Sequence, residues 1–143
     1  VNGKLDDALR ALPHGPEFRF VDRLTALEPG RRGAGEFLLR DDAPFLRGHF
    51  PEQPLMPGVL LVEAVAQLGG VVAQSDPALA PLPGLKLTGI RAAKILGSAS
   101  PGKIISLRAE VVGRMGNLVQ VSGSASTGDQ EILRCEVVLA GTG

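Results

Sequence analysis

The run PGVLLVEAVAQLGGVVAQ, Pro57 to Gln74, constrains the fold more than any other part of the chain. It lacks the strict alternation of a strand, is too long for a typical one, and contains several good helix formers, so it predicts a helix. Its apolar residues Leu60, Leu61, Ala64, Val65, Leu68, Val71 and Val72 go most of the way round the helical wheel. A helix apolar on nearly every side is buried. The rest of the chain must therefore supply its cover. In IISLRAEVV, Ile105, Leu107, Ala109 and Val111 alternate with polar residues; Val119, Val121 and Ala125 share a parity, as do Leu133, Cys135, Val137 and Leu139. These are half-buried strands, with turns at Arg114-Met115-Gly116-Asn117 and Thr127-Gly128-Asp129. The expectation is an α+β chain, one long buried helix with an antiparallel sheet of about five or six strands, the commonest sheet size. At 143 residues, one domain over 1–143 is the natural reading.

Upstream, LDDALRAL, Leu5 to Leu12, has helical spacing and ends at Pro13. A strand is expected from Phe18 to Leu27, closed by Pro29-Gly30, and a second over GAGEFLLR. His14 beside Pro13 reads as structural, as does Val21-Asp22-Arg23, where Asp22 and Arg23 can pair at a strand end. Gly69-Gly70 read as a place where helix and sheet approach closely. Cys135 is the only cysteine, so it forms no internal disulfide, and its alternation marks a packed core thiol.

Fifteen Lys plus Arg balance fifteen Asp plus Glu, there are five Phe with no Trp or Tyr, and no basic run or aromatic ladder points to nucleic acid. The longest apolar stretch is interrupted by Glu63 and Gln67, and VNGKLDDALR is not a charged start followed by an apolar signal core, so no membrane partner is expected and the location is read as cytoplasmic. Two His and one Cys offer almost no ligands for structural zinc; no metal and no cofactor are expected.

An ionised carboxylate amid Val-Leu-Leu-Val and Ala-Val-Ala is costly unless paired. Glu63 and Gln67, four apart, share a helix face. Apolar surroundings favour the protonated form of Glu63 and suit it to act as an acid. Pro57 fits the first helical turn, Gly58 allows close approach to the backbone, and the free amides of Gly58 and Val59 can receive an oxyanion at the positive end of the helix dipole. His49, flanked by Gly48 and Phe50-Pro51, can accept a proton near neutral pH. An acid, a base and an oxyanion hole are thus available.

LPHGPEFRFVDRL, EPGRR and DAPFLRGHFPEQPLMPGVLLVEAVAQLGG together closely resemble the 3-hydroxyacyl-(acyl carrier protein) dehydratases of fatty acid synthesis, which have the hot dog fold. The resemblance runs from Leu12 to about Gly70 and more weakly through IRAAKILGSASPGK to the end. It implies a curved antiparallel sheet wrapped around one long central helix. It also implies a catalytic pair of His49 and Glu63, a thioester carbonyl bound at the amide of Gly58 or Val59, and Gln67 as support for the carboxylate, although by its residue type alone Gln67 is equally a structural hydrogen-bonder. The family builds each site from two chains, which implies a homodimer or higher homo-oligomer, and its substrates are thioesters of acyl carrier protein or coenzyme A. Its isomerising branch carries Asp in place of the helix Glu and usually Cys after the Pro-Gly; Glu63 and Val59 imply simple dehydration to a trans-2-enoyl thioester. Pro16 replaces the aromatic that often gates the tunnel, and Lys94 to Lys103 lacks an aromatic and several basic residues of the relatives. Arg91 and Lys94 are left to pair a phosphopantetheine phosphate or an acidic carrier helix. Two other functions compete: a hot dog acyl thioesterase with Glu63 activating water, and a non-catalytic acyl-binding subunit.

Overall fold

The computed structural model describes residues 2–10, 12–46 and 55–142. The run from Pro57 folds as expected into a helix, α2, Gly58–Gln74, with Pro57 as its N-cap. Leu61, Val65, Leu68 and Val72 are almost wholly buried around it, and so is Gln67, at 2% exposure. Six strands cover it: β1 (Arg23–Glu28), β2 (Arg32–Leu38), β3 (Lys86–Ile95), β4 (Ile104–Met115), β5 (Leu118–Thr127) and β6 (Gln130–Ala140). All pairings are antiparallel and the order across the sheet is β1-β2-β4-β5-β6-β3. One row crosses β2, β4, β5 and β6 as Gly35, Leu107, Ala125 and Leu133, and it faces α2 because strand side chains alternate between faces. This is the hot dog arrangement. The turn glycines Gly116 and Gly128 have φ of 60° and 58°, a conformation glycine adopts without a Cβ penalty.

The helix and sheet close to within side-chain distance at glycines. A Cβ on Gly69 would lie 2.7 Å from Val121 Cγ1, and one on Gly33 would lie 2.8 Å from Val72 Cγ2. Gly70 differs from the expectation of close packing, since a Cβ there would meet Leu85 Cδ2 only at 3.8 Å. Cys135 is a buried core thiol, as its alternation implies.

Two upstream boundaries move. The first helix, α1, is Asn2–Leu9, three residues earlier than the Leu5 to Leu12 pattern. The first strand starts at Arg23, five residues after Phe18. The reason is specific: a helical turn occupies Pro16–Phe18, and the backbone of Phe18 and Phe20 bonds the Gln67 side chain instead of a neighbouring strand. Asp22 and Arg23 do not pair. The Asp22 carboxylate accepts the Leu38 amide at 2.7 Å and faces Arg40 at 3.6 Å, while Arg23 pairs with Glu36 at 2.6 Å.

Candidate active site

Residues Glu63, Ala66, Gln67, Gly70, Val71 and Gln74 recur at the three- and four-residue spacing of one helix face, and they line a cavity of about 620 Å³. Leu12, Pro13 and His14 form one side; Leu82, Leu85, Leu87 and Leu139 form another. The volume lies within the usual range of small-molecule sites, about 300–1,000 Å³. Glu63, Gln67 and His14 bring polar groups to walls that are otherwise mostly apolar, and Gln74 and Lys86 add two more.

Gln67 fixes the carboxyl. Its Oε1 accepts the Phe20 amide at 2.8 Å, so the other terminal atom must be the donor. Nε2 then donates to the Phe18 carbonyl at 2.8 Å and to Glu63 Oε2 at 3.0 Å. Both hydrogens of the amide are used, and Gln67 is at once a structural clamp and a carboxylate support. The four-residue spacing that suggested the pair is the cause of the contact.

Sequence reasoning missed His14. It is no bystander: Nε2 stands 3.4 Å from Glu63 Oε2, and the ring stacks on Phe18 with centroids 6.1 Å apart. Forty-nine residues separate His14 from Glu63, and no periodicity couples them; the only signal was its place inside the stretch that carries the family resemblance.

At the start of α2, Leu60 and Leu61 donate to the Pro57 carbonyl at 2.9 and 3.3 Å, while the amides of Gly58 and Val59 precede the first intrahelical bond. Neither residue lines the Glu63 cavity. A Cβ on Gly58 would lie 2.5 Å from Ile95 Cδ1, the free end of an exposed side chain that can swing aside, so the close approach at this glycine is to strand β3. Val59 is 69% exposed. Glu63 lies five residues after Gly58, about 7.5 Å along the axis at 1.5 Å per residue. His49 lies outside the described residues, and so does Phe50.

The FabA-like domain family matches residues 12–136 of this chain. A 3-hydroxyacyl-[acyl-carrier-protein] dehydratase FabZ of Syntrophotalea carbinolica is 38% identical over 119 residues, which is 83% of this chain and 81% of the relative. Its namesake in Clostridioides difficile is 34% identical over 136 residues, 95% of each. Among solved structures, the dehydratase heterocomplex ApeI:P of Xenorhabdus doucetiae superposes with a TM-score of 0.79 at 16% identity, covering 97% of this chain and 91% of that one. Fold and site thus define a hot dog protein whose central helix carries an acid into an apolar cavity. The chain belongs to the FabA-like family, and it is a 3-hydroxyacyl thioester dehydratase, a hydro-lyase of fatty acid or related acyl-chain biosynthesis.

Proposed function

We propose that His49, Glu63 and the first amides of α2 divide this dehydration among them. His49 takes the proton from C2 of the 3-hydroxyacyl chain, the freed electron pair forms the C2–C3 double bond, and the C3–O bond breaks. Glu63 protonates the departing hydroxyl, so that water leaves and a trans-2-enoyl thioester remains. A proton returns from His49 to Glu63 through solvent and resets the pair. Negative charge on the thioester oxygen is held by the amide of Gly58 or Val59, at the positive end of a seventeen-residue helix. The observation that carries this reading is the environment of Glu63: one carboxyl, held through Oε2 by a buried glutamine, on the wall of a largely apolar cavity of about 620 Å³.

Two chains complete each site in this reading, with His49 from one and Glu63 from the other. Support comes from β3, which ends the sheet order as an unpaired edge and exposes Ile90 and Ile95, the latter at 60%. A long exposed edge that carries apolar side chains invites a second copy, and a two-fold axis would pair β3 with itself. The relatives' names specify acyl carrier protein, which favours a carrier-bound substrate over the coenzyme A thioester. Arg91 and Lys94, both exposed on β3, are the cations for the phosphopantetheine phosphate or an acidic carrier helix. Residues 1–143 act as one domain, in the cytoplasm; no helix among the described residues is long and apolar enough to cross a membrane.

The test is hydration of a 2-enoyl thioester, the reverse reaction, on both carriers. Glu63→Gln is expected to lower the rate at least about a hundredfold, the lower end of what a positioned acid contributes, without release of free thiol. A rate left intact would refute the assignment, and free thiol from the wild type would indicate thioester hydrolysis.

A further inference from the structure

His14 has no place in the mechanism above, yet its ring is the nearest ionisable group to Glu63 among the described residues. Both lie in the same cavity, and among the described residues the only other ionisable one on its walls is Lys86, on β3. The two histidine nitrogens have unequal surroundings. Nε2 faces Glu63 Oε2 at 3.4 Å, whereas Nδ1 is buried and has no hydrogen-bond partner among the described residues. A buried N–H without an acceptor is costly, and a bare ring nitrogen avoids stranding a donor. The neutral ring therefore carries its proton on Nε2, facing the carboxyl.

Oε2 of Glu63 then accepts the Gln67 N–H and faces the His14 N–H across 3.4 Å. A proton on the carboxyl avoids facing two donors when it is carried on Oε1. We propose that His14 is a positioning residue of the dehydration, which with Gln67 reserves Oε2 for incoming N–H groups and leaves Oε1 alone to protonate the departing hydroxyl. The inference rests on Glu63 being the acid. As Oε1 gives up its proton, negative charge develops on the carboxylate and both contacts become charge-assisted, hence shorter and stronger. Contacts of this kind commonly tighten when substrate binds. Their gain falls in the transition state, not in substrate binding, so it appears in kcat rather than KM. The stack on Phe18 ties the ring to the network, because the Phe18 carbonyl holds the other Gln67 hydrogen.

Two variants separate donor from shape. His14→Phe keeps a ring against Phe18 and removes the donor; His14→Gln places an amide nitrogen where Nε2 stood. The expected result is a kcat for His14→Phe lower by about ten- to a hundredfold, the size of one hydrogen bond to a charged group, with KM within about threefold. His14→Gln is expected to recover most of that loss. A wild-type kcat in His14→Phe, or a His14→Gln variant as slow as His14→Phe, would overturn the proposal. A readout independent of turnover is the ring tautomer, from 15N shifts of the labelled full chain: Nε2–H upholds the contact and Nδ1–H overturns it. A wild type inactive on every 3-hydroxyacyl thioester would refute the acid role of Glu63 and His14's part in it, while the tautomer still decides the contact.

Discussion

At Glu63 a single carboxyl interrupts an otherwise uncharged helix, and its partners account for its tolerance there. The pairing with Gln67 is legible because a spacing of four on a helix puts two side chains together. The contact with His14 is not, since it depends on how the segment before β1 folds back, and that path is set by Gln67 bonding the backbone of Phe18 and Phe20. Cys135 offers a test of burial at the same scale. Its side chain is almost wholly enclosed, and desolvation pushes the thiol up from 9.0 to about 11. Below pH 9 the thiol is protonated in both folded and unfolded chains and the shift has no effect on pH dependence. Above it the unfolded thiol ionises first, so stability falls between pH 9 and 11 by up to about 1.4 kcal/mol per pH unit. Denaturant unfolding of wild type and Cys135→Ala at pH 8 and 10.5 checks this: the wild type is expected to lose more stability over that interval, and equal losses would contradict it.

Within α2, adjacent glycines have different duties. The sequence shows only a Gly-Gly pair, and both members suggest close packing; the register of β5 decides that Gly69 alone faces Val121. Gly69→Ala forces a methyl to 2.7 Å from Val121 Cγ1, between a helix and a central strand, and is expected to cost about 1–3 kcal/mol as overpacking. Gly70→Ala meets nothing closer than 3.8 Å and projects into the cavity. It is expected to leave the unfolding midpoint near wild type and to lower turnover of long acyl chains while sparing short ones. Thermal unfolding and a chain-length series read both outcomes; a destabilised Gly70→Ala with an unchanged chain profile would contradict the division. At the end of α2, Gln74 on the cavity wall bonds Leu82 in both directions, donating to its carbonyl at 2.7 Å and accepting its amide at 2.9 Å. That clamp was not readable from the sequence, because the Pro-rich loop between α2 and β3 has no periodicity to place Leu82.

For the whole molecule, patterning was sufficient for the architecture: a helix apolar all round needs a sheet about it, and alternating strands of adequate length follow in the chain. Strand order and the exposed edge at β3 emerge only from the pairing, since long-range neighbours such as β2 with β4 leave no local trace. The edge matters for chemistry because the proposed site needs two copies. Mixing His49→Ala and Glu63→Gln proteins tests this directly. A hybrid dimer has one site that draws both lost groups from the same two chains, and one in which the intact His49 meets the intact Glu63. With random exchange about a quarter of wild-type activity is expected from two nearly inactive parents, by the symmetry of a two-fold assembly. Activity that stays at the parental level, while mass spectrometry shows that the hybrid dimers have formed, would contradict the account.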